Sequence, residues 1–321
     1  MKLGRRFVLA VLAAVVSLSW VASGVRAGQS TAAPSVAPLA GRWDLTLKGP
    51  DGEHPSWIEI DDKDGQPTAL FTGRWGNARP LPKIGIEGNK VTFVSPKDEE
   101  STKEDLVFTG TLRGKTLSGR ITGFDAPWTW TGVRAPSLER TGAPQWGEPI
   151  ELFDGKDLTG WHQSRKGPPD WTVKDGNLVS PGNGPELIGE QKFQDFKLHV
   201  EFNCGVNANS GVYLRGRYET QIETESEGEP PSHHTGGIYG FIAPDPEQPR
   251  TPDKWQTFDI TLVGRRVTVV QNGTTIIDNK EIPGITGGAL DSHEGMPGPI
   301  YLQGSEKGHV LFRKITITPA Q

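Results

Sequence analysis

The stretch Asn209-Ser-Gly-Val-Tyr-Leu-Arg-Gly-Arg-Tyr-Glu-Thr-Gln-Ile-Glu223 gathers acids, bases and hydrogen-bonding groups at a spacing that can do chemistry. Successive strand side chains point to opposite faces. Read as a strand over 211–224, it puts Tyr213, Arg215, Arg217, Glu219, Gln221 and Glu223 on one face, and Val212, Leu214, Tyr218 and Ile222 on the other. Two arginines, two carboxylates, an amide and a phenol in one row suit a polyhydroxylated ligand better than they suit solvent. A solvated outer face is the plainer alternative.

A second cluster follows at once. His233-His234 sit in Gly228-Glu-Pro-Pro-Ser-His-His-Thr-Gly-Gly, a loop expected to fold over the end of that strand, with Glu225, Glu227 and Glu229 upstream. Histidine titrates near neutrality, so either ring can supply a base or ligate a metal. The alternative is a mobile polar loop. No spacing here matches a metal motif such as His-Glu-x-x-His, and neither a metal nor a cofactor is expected. His293 lies in another glycine-bounded loop, and Cys204, the only cysteine, has no evident catalytic partner. Trp161, Trp171 and Trp255 can stack on a sugar or fill a core. The same choice holds for Trp43, Trp57, Trp75, Trp128 and Trp130, with core packing favoured for Trp128 and Trp130.

The elements that must position these groups are short strands. Glycine (41) and proline (26) make up about a fifth of the 321 residues, which punctuates strands and disfavours long helices. Seven alternating segments begin at Arg42, Ser56, Thr68, Lys90, Asp105, Thr116 and Trp128, and suggest a small antiparallel barrel or sandwich over residues 36–134. Residues 135–148 hold prolines and no periodicity, and read as a linker. A second all-β unit over 149–319 has strands at 197–203, 211–224, 237–242, 256–263, 266–271, 274–277, 299–303 and 310–317. Asn272-Gly273 marks a type I′ hairpin. Its length and strand count fit a two-sheet sandwich or jelly roll.

At the N-terminus a basic start, an apolar run to about Ala22 and the small-residue stop Val25-Arg26-Ala27 read as a cleaved export signal over residues 1–27, followed by a polar linker at 28–35. Arg5-Arg6 suits the general or the twin-arginine route. An uncleaved anchor is the alternative, although the run is shorter than the ~20 residues of a span. Cleavage removes four basic residues and no acid, so the formal charge moves from -5 to -9. An acidic protein lacks the basic footprint that binds nucleic acid or anionic lipid. No nucleic-acid partner is expected, nor a membrane after cleavage, and a periplasmic or secreted location follows. A single cysteine allows no internal disulfide.

Over about residues 149–318 the chain resembles the 3-keto-disaccharide hydrolase family. The resemblance rests on Leu152-Phe-Asp-Gly-Lys-Asp-Leu-Thr-Gly-Trp161, Trp171 with Asp175-Gly176, Asp195-Phe-Lys-Leu198, Asn209-Ser-Gly-Val-Tyr-Leu-Arg215, Tyr218-Glu-Thr-Gln-Ile-Glu223, Gly236-Gly-Ile-Tyr-Gly240, Lys254-Trp-Gln256, Asn272-Gly273, Gly298-Pro-Ile-Tyr-Leu-Gln303 and Phe312-Arg313. The chain departs from the family at Gly304-Ser305, where an acidic residue and a histidine are usual, and at Lys314, where Asn is usual. The resemblance implies a concanavalin-like, glucanase-type sandwich and an enzyme acting on a small carbohydrate, a glycoside already oxidised at C3.

A C3 ketone acidifies the C2 proton. A base can then drive elimination of the C1 substituent, and water adds to the enone. Such a site needs a base near C2, an acid near the glycosidic oxygen and donors for the enolate. By residue type and facing, Arg215 is the expected oxyanion donor, and Glu219, Glu223 and His233 are acid/base candidates. Tyr213, Arg217, Gln221, His234, Tyr239, Trp255 and Gln303 are the expected sugar-binding groups. Glu219-x-Gln221-x-Glu223 also resembles the Glu-x-Asp-x-Glu row of laminarinase-type glucanases. Retention wants carboxyls ~5–5.5 Å apart, however, and residues four apart on a strand are separated by about 13 Å. A non-catalytic carbohydrate-binding protein is the third reading.

Overall fold

The computed structural model describes residues 36–165, 170–180, 182–224, 228–305 and 307–321. The expected signal (1–27) and linker (28–35), and Glu225 and Glu227, lie outside the described residues. Two β structures share one compact unit, Pro34–Gln321.

The first is a nine-stranded antiparallel sheet: β1 (Gly41–Gly49), β2 (Gly52–Lys63), β3 (Gln66–Thr72), β4 (Arg79–Pro80), β5 (Lys83–Glu87), β6 (Lys90–Ser95), β7 (Leu106–Arg113), β8 (Thr116–Thr122) and β9 (Trp128–Arg134). Their order is β4-β3-β2-β1-β9-β8-β7-β6-β5, and β5 packs back against β3, so the sheet curls around its own core. Trp43, Phe71, Phe93, Phe108 and Trp130 fill that core, with Phe93 and Phe108 stacked at 4.4 Å. Period-2 alternation marked seven of these strands. β4 and β5 went unmarked: one is two residues long, and the other is mostly exposed.

The second structure is a two-sheet sandwich built from β10 (Ile150–Phe153), β11 (Trp161–Gln163), β12 (Thr172–Lys174), β13 (Asn177–Ser180), β14 (Leu187–Phe193), β15 (Phe196–Cys204), β16 (Asn209–Leu214), β17 (Tyr218–Glu223), β18 (Trp255–Val263), β19 (Arg266–Gln271), β20 (Thr274–Glu281), β21 (Gly298–Leu302) and β22 (Val310–Pro319). One sheet runs β12-β13-β22-β15-β18-β19-β20 with β10 also on β22. The other runs β11-β14-β21-β16-β17. Leu198, Val200 and Phe202 from the first meet Val212, Leu214, Ile222, Ile300 and Leu302 from the second. Such interdigitating aliphatic and aromatic side chains are the main stabilising burial in a sandwich without disulfides.

Two expectations change. The single strand expected over 211–224 is the hairpin β16–β17, closed by Arg215 (φ 54°) and Gly216 (φ 67°) with the Arg217 amide donating to Leu214 O at 3.1 Å. Both central residues of a type I′ turn need positive φ, and Gly216 provides this without strain. The strand expected at 237–242 is a looped segment with only isolated bridges, Thr220 to Ile238 and Ile238 to Ile242.

The two β structures are welded together. Trp57 leaves the face of β2 to join the sandwich core, edge-on to Phe241 at 5.5 Å. Gly284 makes room for its indole, since a Cβ there would lie 2.2 Å from Trp57 Nε1. Thr46 and Ser292 hydroxyls pair at 2.6 Å, and Arg42 pairs with Glu281.

Candidate active site

The five-stranded sheet turns one face away from the core, and a cleft of about 430 Å³ opens on it. Its floor comes from β16, β17 and β21. In the hairpin register Tyr213 opposes Glu219 and Gly211 opposes Gln221, while Tyr213 also opposes Tyr301 on β21. The cleft is lined by Asn209, Tyr213, Glu219, Gln221, Tyr301 and Gln303, with Tyr239 beside them. Loops at Asn183–Glu186 and Gly304–Ser305 wall one side, and Gly287–Gly288 with Trp75–Gly76 wall another.

Glu219 stands in the middle of this floor, nearly fully buried. Its side chain fits because residue 211 is glycine: a Cβ there would lie 2.2 Å from Glu219 Oε1. The Tyr213 hydroxyl lies 2.9 Å from Glu219 Oε2 and 2.7 Å from Gly287 O. A phenol has one proton, so it donates to one of these two acceptors at a time, in two arrangements. Either the phenol donates to the Glu219 carboxylate, or a protonated Glu219 donates to the phenol oxygen, which donates to Gly287 O. This hydrogen-bond set accommodates both protonation states, as an acid/base residue requires. Burial and the neighbouring Glu219 charge hold the Tyr213 phenol well above its ordinary pKa, so it remains a donor. The Tyr301 ring stacks on Tyr213 at 4.1 Å, and burial with the charges of Glu186 and Glu219 raises its phenol too.

The free edge of β17 is covered by the segment 236–239. The Gln221 amide donates to Gly237 O at 2.9 Å, Gly236 N to Gln221 O at 2.8 Å, and Tyr239 N to Glu219 O at 3.1 Å. These bonds fix Tyr239 beside Glu219. The His233 ring then stacks on Tyr239 at 4.3 Å.

The amides point in complementary senses. Ile222 N donates to Gln221 Oε1 at 3.1 Å, which leaves the Gln221 NH₂ as its donor end. Gln303 Oε1 and Asn209 Oδ1 are buried with no hydrogen-bond partner among the described residues. Buried acceptors without partners are costly, and sugar hydroxyls can satisfy them. The polar row is therefore buried beneath loops and the first β structure, not solvated.

Several expected site residues lie elsewhere. Arg215 and Arg217 are displaced by the turn. Arg215 reaches Gly264 O at 2.5 Å and covers the Tyr218 ring at 5.1 Å, while Arg217 holds Asp291 at 2.8 and 3.1 Å and Met296 O at 2.9 Å. Neither lines the cleft. Glu223 lies past the floor in a separate crevice with Thr235, Glu247, Gln256 and Gln271. His233 bonds Glu229 at 2.9 Å and touches the cleft only through Tyr239, and His234 faces Glu247 at 3.0 Å. Trp255 sits on the other sheet beneath the Arg313 guanidinium, 3.9 Å from its ring centre. Burial pushes the Cys204 thiol up to about 12, which disfavours a thiolate nucleophile.

Sequence reasoning did not mark Glu186, a second carboxylate in the cleft, nor Asn183, Asn209 and Tyr301. Glu186 lies in an irregular loop, bonded to Ser164, where no periodicity draws attention to it. At Gly304 a Cβ would lie 2.1 Å from Gly184 O, so this backbone leaves no room for a side chain there. Among the described residues no cluster of three His, Cys, Asp or Glu is placed to hold a metal.

The 3-keto-alpha-glucoside-1,2-lyase-like domain matches residues 148–318. A 3-keto-disaccharide hydrolase of Bacteroides thetaiotaomicron is 33% identical over 87 residues, a stretch spanning 24% of this chain and 30% of that protein. Among solved structures, a Parabacteroides distasonis protein assigned provisionally to the glycosyl hydrolases is 28% identical, with a TM-score of 0.46 over 56% of this chain and 92% of that one. The Bacillus subtilis carbohydrate-binding module CBM66 is 11% identical, with a TM-score of 0.34 over 49% of this chain and 94% of that one. With the match running through every strand that builds the cleft, the chain belongs to the family of 3-keto-alpha-glucoside-1,2-lyase-like domains.

Proposed function

We propose that the protein is an exported enzyme that cleaves 3-keto-glycosides at C1, with Glu219 as the base. The observation that carries this reading is the Glu219–Tyr213–Gly287 set on a buried floor, in which the Tyr213 hydroxyl can donate to a charged Glu219 or accept from a neutral one. In the reaction Glu219 removes the C2 proton. The electron pair of that C–H bond forms the enolate, and the enolate collapses to expel the C1 oxygen and leave an enone. Glu186 supplies the proton to the departing oxygen. Water then adds at C1 and C2 is reprotonated, so the net change is hydrolysis. With Arg215 outside the cleft, the Gln221 NH₂ serves as enolate donor. Asn209 Oδ1 and Gln303 Oε1 accept sugar hydroxyls.

A laminarinase-like mechanism through Glu219 and Glu223 is disfavoured because Glu223 opens into a different crevice. The deciding experiment incubates the mature protein with a 3-keto-disaccharide and follows release of the second sugar. Release, accompanied by exchange of the C2 proton with solvent deuterium, supports the proposal. Binding without turnover overturns it in favour of a carbohydrate-binding protein, and cleavage of an unoxidised β-glucan alone favours an ordinary glycosidase. The export reading predicts that the native protein lacks residues 1–27. An intact N-terminus on that protein would contradict it.

A further inference from the structure

We infer that the first β structure completes the substrate site of the second, with Trp75 as the stacking surface for the leaving sugar of a disaccharide. The inference rests on the cleft being the catalytic site proposed above. Of the five tryptophans in the first structure, four are buried, Trp57 in the sandwich core and Trp43, Trp128 and Trp130 in their own sheet. Trp75 is 60% exposed, yet it lines the cleft.

It is held there deliberately by the chain around it. Trp75 lies in the connection between β3 and β4, whose backbone is seated on the sandwich: Gly288 N donates to Arg74 O at 3.3 Å. Two sandwich glycines leave room for this connection, and a third leaves room for the Tyr213 hydroxyl beside it. A Cβ at Gly287 would lie 2.2 Å from Gly76 O, one at Gly240 2.7 Å from Asn77 Cβ, and one at Gly288 2.5 Å from the Tyr213 hydroxyl. From inside the first structure, Arg74 pairs with Asp51 at 3.2 Å and lies over the Trp128 and Trp75 rings at 5.4 and 5.8 Å. At the base of the connection, Arg79 bonds Ser95 Oγ at 2.6 Å and pairs with Glu100.

The position fits one part of the substrate. That Gly288 Cβ would also lie 3.9 Å from Trp75 Cζ3, so the indole and the Tyr213 hydroxyl are within about one sugar residue of each other. The reacting ring must occupy the buried floor at Glu219 and Gln221. The exposed indole at the rim then meets what extends out of the cleft, the second sugar, whose C–H face packs on an aromatic face. A tryptophan side chain has only two rotatable bonds and loses little conformational freedom on meeting a ligand.

The test compares the wild type with Trp75→Ala and Trp75→Phe on two probes, the 3-keto derivative of maltose and methyl 3-keto-α-glucoside, which has no leaving sugar. Trp75→Ala should lower kcat/KM for the disaccharide roughly tenfold more than for the methyl glucoside, mainly through KM, as loss of a tryptophan anchor does. Trp75→Phe should recover much of this, and unfolding midpoints should agree because the ring is exposed. Equal losses on both probes, or none, overturn the inference while leaving the proposed reaction intact. If the wild type turns over neither probe, the proposed reaction falls, and calorimetric titration with maltose decides the role of Trp75. Weaker binding by Trp75→Ala supports it, and no difference from the wild type, absence of binding included, overturns it.

Discussion

The two faces of the β16–β17 hairpin each bury a carboxylate against a tyrosine hydroxyl, and only one of them faces a cleft. On the outer face Glu219 lies 2.9 Å from the Tyr213 hydroxyl, beneath the cleft. On the inner side the Tyr218 hydroxyl donates to Glu294 Oε1 at 2.7 Å, where Arg265 also grips both carboxylate oxygens at 2.7 and 2.6 Å. Glu294 is sealed from solvent, and Asp44 of β1 packs against it. Burial and the Glu294 charge push the Asp44 carboxyl up to about 9, so it keeps its proton at neutral pH. Burial of an acid beside a tyrosine is therefore no mark of catalysis by itself. A bidentate arginine makes Glu294 a fixed structural charge, whereas Glu219 has a partner that tolerates either protonation state and an opening through which a substrate can reach it.

Breaking the outer site should have the largest effect on activity. Glu219→Gln should lower kcat on a 3-keto-glucoside by about 10²–10⁴, the usual worth of a positioned acid/base group, with little change in thermal stability. Retained activity would remove Glu219 from the mechanism. On the inner side the sensitivity reverses. Glu294→Gln leaves Arg265 buried without its counter-charge and should cost roughly 3–5 kcal/mol of stability in urea titrations, while the specific activity of the folded fraction survives.

Gly211→Ala sharpens the contrast, because the added methyl strikes Glu219 without touching the inner face. Displacing a reacting group by about 1 Å can cost about a hundredfold, so kcat should fall by that order with the circular dichroism spectrum unchanged. The most gradual effect is the pH response of the inner pair, which is spread over several pH units. Asp44 has a native pKa of about 9 against an ordinary 3.8, so the folded state holds a proton that the unfolded chain releases. Its contribution is complete below about 4 and is lost as pH rises towards 9. Stability should decline across that window by up to about 1.4 kcal/mol per pH unit, and Asp44→Asn should flatten the decline in urea titrations at pH 5 and pH 8.5.

Much of this hairpin is legible in the sequence, and the illegible part has a simple cause. Three residues, Arg215 to Arg217, connect the strands, so the register pairs Tyr213 with Glu219 and Gly211 with Gln221 and odd-numbered residues stay on one face on both strands. Strand alternation across 211–224 consequently groups Tyr213, Glu219 and Gln221 even though the segment is two strands. The arginines fail the same reading because Arg215 occupies the turn itself and Arg217 follows it, where side chains leave the pleat. Arg215-Gly216 lacks the Asn or Asp that usually announces a type I′ turn. Glu223 keeps its face, but the covering segment and the 247–251 loop divide that face into two separate openings.

By itself the sequence determined what depends on local periodicity and composition: an all-β chain, the strands of strong alternation, the family of its second half, and one polar face containing Glu219. The tertiary structure decided what depends on loops and distant segments meeting. It placed Glu186 in the cleft and Trp57 in a foreign core, left Trp75 at the cleft rim, and gave Glu294 its arginine. Alternation is set by neighbours two residues apart and can be read along the chain. Which carboxylate is neutralised and which stays accessible is set by groups tens of residues away, and only packing brings them together.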